Sequence, residues 1–321
     1  MKSLAVSLLV ILVASSAHGQ QEPPPIIDMH LHGGFTFGSF PVGPDGKLPK
    51  RPCLPTGFCD PGPAELSSVE EVIPATLAAM NKHNIVLGVV SDILPVPKDH
   101  NWVFDGWNEA DPGRFIFGYG MRHPTDISLA NLRGLLESGE VSVIGELAFQ
   151  YSEIVIDDPI LEPIFALADE LDVPVHIHLA GMGGGQTFPV HLGDPLRLST
   201  VLQKHPTLRV YIENASFPFL EGISAVLLKY PNVYVDVSTA TWILPREAIH
   251  THIKGLVDRG LSKKIMFGSD QMLWPETIEL AIETIEAADF LTPEQKRDIF
   301  YNNAARFLRL TEDEIAAHHG N

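Results

Sequence analysis

The chain has 321 residues, 45% of them hydrophobic and 19% charged, a composition that supports a large core and excludes disorder as its main state. That length suits one large domain or two small ones. A formal charge of −18 repels phosphate backbones, which excludes a general nucleic-acid partner and leaves small-molecule substrates open.

In chain order, Lys2 precedes an apolar run from Leu4 to Ala14, followed by Ser15, Ser16 and Ala17-His18-Gly19. This is the pattern of a secretory signal peptide over 1–19, too short for the roughly 20 apolar residues of a spanning helix. The expectation is an exported protein, periplasmic or secreted, with no stable membrane association once the signal is removed. A polar, Pro-rich leader, 22–25, then opens a single domain over 20–321. Short apolar runs at 26–30, 85–90, 115–120, 141–147, 173–179, 208–214, 233–238 and 264–269 read as strands buried on both faces. Helical patterns fill the gaps at 65–83, 127–138, 159–171, 195–204, 217–229, 246–259, 275–288 and 292–308. The crossover around 102–110 has the weakest pattern. Thr292-Pro293-Glu294-Gln295 starts its helix with an N-cap, a first-turn proline and a capping-box glutamine.

Eight strands alternating with helices imply a parallel α/β fold; a (β/α)8 TIM barrel gives that count directly, and a doubly wound open sheet is the alternative on pattern alone, though no Gly-rich phosphate fingerprint follows the first strand. No internal repeat or domain-splitting linker interrupts the pattern. Segment 33–63, rich in Gly and Pro, is too long for an ordinary connection and reads as a functional rim loop. It holds Cys53 and Cys59, the chain's two cysteines. Export favours a local disulfide between them, on the order of 2 kcal/mol, with free thiols as the alternative.

The chemistry concentrates at strand ends. Asp28-Met29-His30-Leu31-His32 puts two imidazoles two residues apart, on one face of a strand at the mouth where barrel active sites lie. Such a pair suits a divalent metal. Val175-His176-Ile177-His178 repeats the arrangement, with His178 nearer the mouth and His176 deeper, as a packing or supporting residue. Asp270 ends strand eight, where a carboxylate can bind metal and accept a proton; an ordinary helix-capping Asp is the alternative. Glu146 in Val143-Ile144-Gly145-Glu146 is a carboxylate in an apolar strand, costly there unless it is paired or bridges metal. Arg122 and His123 follow strand three as candidates for a substrate carboxylate, or as a solvated loop. Trp242 beyond strand seven either lines the pocket or packs.

Taken together, the His-x-His of strand one, His178 of strand five and Asp270 of strand eight resemble the amidohydrolase superfamily. The amidohydrolase-2 (amidohydrolase-related) branch is the most similar, over about 26–310. Phe267-Gly268-Ser269-Asp270 and Tyr301-Asn302-Asn303-Ala304-Ala305-Arg306-Phe307-Leu308 are similar to its strand-eight turn and C-terminal helix. The branch contains decarboxylases related to aminocarboxymuconate-semialdehyde decarboxylase and lactone-type hydrolases. The resemblance implies a metal-dependent hydrolase of an amide, ester or lactone, with a decarboxylase of a small unsaturated or aromatic acid as runner-up. A non-catalytic binding barrel is the third reading. It implies zinc, with manganese or iron also permitted, on His30, His32, His178 and Asp270, and Asp270 as the catalytic base. Glu146 is similar to the bridging glutamate of TatD-like members, which hold two metals. Asn214 aligns where many members carry a strand-six histidine, making it a candidate substrate contact. The expectation is therefore one tightly held ion, a weaker second one, a small-molecule substrate, and an oligomeric state left open.

Overall fold

The computed structural model describes residues 23–33, 51–54, 57–58, 71–91, 102–184 and 187–320. The expected signal peptide and most of the rim segment lie outside the described residues. Eight strands, β1 (Ile26–His32), β2 (Ile85–Ser91), β3 (Phe115–Met121), β4 (Val143–Leu147), β5 (Val175–Ile177), β6 (Val210–Ile212), β7 (Val233–Asp236) and β8 (Ile265–Met266), neighbour one another in sequence order. Every pairing between them is parallel. Two backbone hydrogen bonds bring the first strand against the last: Met29 N to Phe267 O at 3.0 Å and Asp270 N to His30 O at 2.8 Å. The expected (β/α)8 TIM barrel is what the chain forms.

Helices α1 (Val72–Lys82), α2 (Trp102–Ala110), α3 (Leu129–Glu137), α4 (Glu162–Glu170), α5 (Leu198–Lys204), α6 (Leu220–Lys229), α7 (Ala240–Ile243), α8 (Arg246–Asp258) and α9 (Glu276–Glu286) occupy the crossovers. Their apolar stripes, such as Ile164, Phe165, Leu167 and Ala168 of α4, bury against the outer face of the strands. The helix expected over 292–308 starts with the expected capping box at Thr292 and Gln295 but is not continuous. It runs as α10 (Pro293–Arg297), a π-helical turn at Asp298–Asn302 and α11 (Asn303–Leu308). A further short helix, α12 (Glu312–His318), follows, and a two-residue ladder pairs Pro52–Cys53 with Gly57–Phe58. Cys53 is disulfide-bonded; Cys59, its expected partner, lies outside the described residues. Among the described residues no helix is long and apolar enough to cross a membrane.

A second apolar cluster fills the barrel interior. It joins Ile27, Met29, Leu87, Val89, Val143, Tyr211, Tyr234 and Met266 to Ala304, Ala305 and Phe307 of α11, which thereby plugs one end. Above this layer the strands carry the polar cluster. In β6, β7 and β8 the alternation is regular, so Tyr211 is followed inward by Glu213, Tyr234 by Asp236, and Met266 by Gly268 and Asp270. In β1 and β4 it slips by one. The register shifts between Asp28 and Leu31, and again between Ile144 and Leu147. These irregularities turn His30, His32 and Glu146 inward although Met29 and Val143 below them also face the interior, a use of bulges to re-aim side chains at a site.

Candidate metal centre

Five carboxylates, Asp28, Glu146, Glu213, Asp236 and Asp270, and four histidines, His30, His32, His176 and His178, meet at this mouth, none more than 6% exposed. Glu146 stands at the centre. Its Oε2 lies 3.2 Å from His30 Nε2 and 3.7 Å from His32 Nε2, while Oε1 lies 3.2 Å from His178 Nδ1. Asp270 Oδ1 is 2.7 Å from His32 Nε2 and 3.9 Å from His30 Nε2. Its other oxygen accepts from the Thr239 hydroxyl. Glu146 is placed by Gly145, whose φ is +151° and whose absent Cβ would stand 2.5 Å from His176 Cβ. Only glycine occupies that conformation and that space easily.

Hydrogen bonds fix which imidazole nitrogen faces the centre. His178 Nε2 lies 2.8 Å from the Met182 carbonyl, which can only accept, so Nε2 carries a proton and Nδ1 is the nitrogen that holds the lone pair whenever the ring is neutral. His30 Nδ1 is 3.0 Å from Ser238 Oγ, and the Ser238 hydroxyl donates to Asp236 Oδ1. Ser238 therefore accepts from His30 Nδ1–H and leaves Nε2 open toward Glu146 and Asp270. This is how proteins orient metal-binding histidines. Asp28 ties the strand ends together, accepting from His30 N at 3.1 Å and Ser269 N at 2.9 Å. Gln271 clamps His32 by both backbone groups, at 2.9 Å each.

The carboxylate surplus sets the electrostatics. Burial opposes charging of His30, yet Asp270 and Glu146 outweigh it and carry its pKa up to about 9. His178 likewise rises well above its ordinary value, burial being overcome chiefly by Glu213. Burial pushes Asp236 up to about 7 and Asp28 to about 6. Asp270 stays below the usual range because His30 and His32 outweigh burial. His176 goes the other way: burial, then the charge of His30, push it down to about 3, so it is a neutral ring. It stacks on Tyr211 with centroids 4.2 Å apart, and its Nε2 lies 3.4 Å from Asp236 Oδ2. A site that draws protons onto imidazoles facing carboxylates is short of positive charge.

The donor set fits a divalent cation. Ligand atoms of His30, His32 and Glu146 lie within 4.8 Å of one another, as do those of His30, Glu213 and Asp270, and of Glu146, His178 and Glu213. Glu213 Oε2 is buried and accepts no hydrogen bond. His30, His32, Glu146 and Asp270 thus share one neighbourhood, and His178 joins it through Glu146. His178 Nδ1 is closer to Glu213 Oε1, at 2.5 Å, than to Glu146 Oε1, at 3.2 Å.

Glu213 is the residue that sequence reasoning missed. Alternation from Tyr211 pointed to it, but placing Asn214 in the strand-six position hid the signal. Correcting that alignment, Asn214 has a left-handed φ of 57° just past β6 and turns aside. Its Nδ2 donates to Glu213 Oε1 at 2.7 Å and its Oδ1 accepts from Ala240 N at 2.9 Å, so it holds Glu213 and caps the turn into α7. Trp242 packs: it is 5% exposed and its indole N–H donates to Ser269 O at 2.8 Å. The Arg122 guanidinium lies 4.9 Å from the Tyr151 ring centroid, and Tyr151 in turn meets the His178 ring edge-on at 5.0 Å. His123 stands farther out, with Nδ1 2.7 Å from Thr125 Oγ1 in the turn after β3.

The amidohydrolase family profile, Amidohydro_2, matches residues 27–310. The chain belongs to this amidohydrolase family. Among solved structures it is similar to an uncharacterised TIM-barrel protein from Bordetella bronchiseptica, at 20% identity and TM-score 0.62 over 92% of this chain and 100% of that one. A probable 2-pyrone-4,6-dicarboxylic acid hydrolase from Acinetobacter baumannii, crystallised with citric acid, is similar at 13% identity and TM-score 0.61 over 89% and 99%. A 5-carboxyvanillate decarboxylase from Novosphingobium aromaticivorans, crystallised with manganese and a nitrobenzoic acid, gives 17% identity and TM-score 0.56 over 78% and 85%. At such identities the likeness is one of fold. One curated relative, Protein fluG of Emericella nidulans, is 20% identical over 159 residues, 45% of this chain, and the match spans only 18% of its own length.

Proposed function

We propose that this amidohydrolase is an exported, metal-dependent hydrolase that opens an amide, ester or lactone bond of a small molecule. The observation that carries the reading is the approach of His30 and His32 to both Glu146 and Asp270, within 3.9 Å, at one buried locus of the barrel mouth. His30, His32, Glu146 and Asp270 would hold a divalent ion, zinc or manganese. Such an ion supplies Lewis acidity, acidifying water and polarising a carbonyl oxygen. Asp270, kept ionised by its histidine neighbours, takes the proton of the attacking water and returns it to the leaving group. Thr239 holds one Asp270 oxygen and so orients the other toward the mouth. Arg122, stacked on Tyr151 beside His178, binds an anionic substituent of the substrate.

The same arrangement favours a second reading, decarboxylation, because a guanidinium near the centre also suits a substrate carboxylate. A screen of lactones, esters, amides and small aromatic acids with metal-loaded protein separates the two. Acid release without carbon dioxide supports hydrolysis; carbon dioxide release sinks it in favour of the lyase. Absence of stoichiometric metal in active protein would remove the basis of both.

A further inference from the structure

The last carbonyls of α7 have no partner within the helix, as at every helix end, and two groups from the rim segment take them. Arg51 Nη1 donates to Trp242 O at 3.1 Å, and Leu54 N donates to Ile243 O at 2.8 Å. The Arg51 guanidinium also lies 5.8 Å from the Trp242 ring centroid, and the charge of Glu276, which opens α9, acts on it. Between the two contacts Cys53 is disulfide-bonded, and Pro52–Cys53 pairs with Gly57–Phe58 in an antiparallel ladder. Arg51 Nη1 lies 3.7 Å from Cys53 Sγ, so the guanidinium and the cross-link belong to one tied segment that meets α7 from outside.

A helix of four residues is not stable by itself, so its neighbours set where α7 lies. On its inner side it reaches the centre. Thr239, at the N-cap position, donates to Asp270 Oδ2, and the Trp242 indole N–H donates to Ser269 O at 2.8 Å. Ser238, which accepts from His30 Nδ1, takes Thr241 N on its own carbonyl at 3.1 Å. Trp242 joins the two sides: its carbonyl accepts from Arg51 and its indole holds the residue before Asp270.

We infer that Arg51, with the cross-linked segment at Cys53, positions the Asp270 side of the centre by bracing α7 from the rim. The inference rests on the metal-dependent reading of that centre. Arg51 contacts none of the residues assigned to the ion and acts through Trp242. Without the brace α7 is held from one side, and the Thr239 and Ser238 hydroxyls that orient Asp270 and His30 lose their fixed places.

The test uses the full protein with manganese(II) alone. Affinity is measured by competition with a chelating dye well below the melting temperature, the setting of Trp242 by near-ultraviolet circular dichroism, and the melting temperature on metal-free protein. Arg51→Met keeps an apolar stem against Trp242 and removes the donor. It should weaken manganese binding about tenfold, the lower end of what loss of an orienting partner costs, and alter the tryptophan signal. Arg51→Lys keeps one donor and should recover most of the affinity, and Cys53→Ser should weaken binding as Arg51→Met does. A lower melting temperature with manganese affinity unchanged in Arg51→Met would assign Arg51 to stability alone and overturn the inference. Arg51→Lys as weak as Arg51→Met would overturn the bond to Trp242 O as the cause. Wild-type affinity in Cys53→Ser would overturn the part given to the cross-link. Wild-type protein that binds no manganese would bring down the metal-dependent reading, and the inference with it.

Discussion

Gly145→Ala tests how tightly the fold positions the centre. A Cβ at this position would stand 2.5 Å from His176 Cβ, 2.6 Å from His176 O and 3.0 Å from His176 Cα. Backbone and Cβ atoms cannot rotate away, so the strands must separate. Overpacking of this kind costs about 1–3 kcal/mol, and a non-glycine residue at φ +151° costs about 1–3 kcal/mol more. The sum, about 2–6 kcal/mol, corresponds to a melting-temperature loss of roughly 5–20 °C for a domain of this size. The neighbouring peptide carries Glu146, so the strand shift also moves the carboxylate that faces His30, His32 and His178. Differential scanning calorimetry should show the drop, and metal retained after dialysis should fall with it. Gly134→Ala is the control: it lies exposed in α3 with nothing within 4 Å of its would-be Cβ, and should gain about 1 kcal/mol. A Gly145→Ala protein that melts with the wild type and keeps its metal would refute the claim that Gly145 sets the position of Glu146.

Asp270→Asn should keep the fold and bound metal yet lose turnover by about 10²–10⁴-fold in a steady-state assay, and unchanged turnover would remove Asp270 from proton transfer. Ser238→Ala removes the acceptor that fixes His30, and metal affinity measured by competition with a chelating dye should fall about 10–100-fold. Lys264 tests linkage away from the centre. Burial, then Arg306, push its pKa down to about 8, so between about 8 and 10.5 the unfolded chain binds more protons than the folded one and stability from this group rises with pH. The melting-temperature advantage of Lys264→Met over wild type should therefore be largest at pH 7 and shrink as pH rises through 8 toward 10. An advantage independent of pH would show that Lys264 is not desolvated.

The barrel was legible because parallel strands buried on both faces leave continuous apolar runs, and each of the eight runs overlaps a strand. Strand ends were less so. Val175–Ile177, Val210–Ile212 and Ile265–Met266 are shorter than their apolar runs because the chain leaves the ladder early to aim His178, Glu213 and Asp270. Simple alternation selected His30 with His32, although the slip above Met29 is what turns them inward; nothing in the residue types announces that irregularity. Glu213 was readable in principle, two residues beyond the inward Tyr211. What obscured it was the turn at Asn214, whose left-handed backbone removes it from the strand pattern. The helices α7 and α12 escaped notice because four and seven residues are too few to show a period.

The most direct measurement is anomalous diffraction at the manganese absorption edge from crystals of the manganese-loaded protein. A peak bounded by His30 Nε2, His32 Nε2, Glu146 and Asp270 is the result expected. Density for the protein with no anomalous peak among those side chains, or with the metal held elsewhere, would contradict the assignment of this mouth as a metal centre.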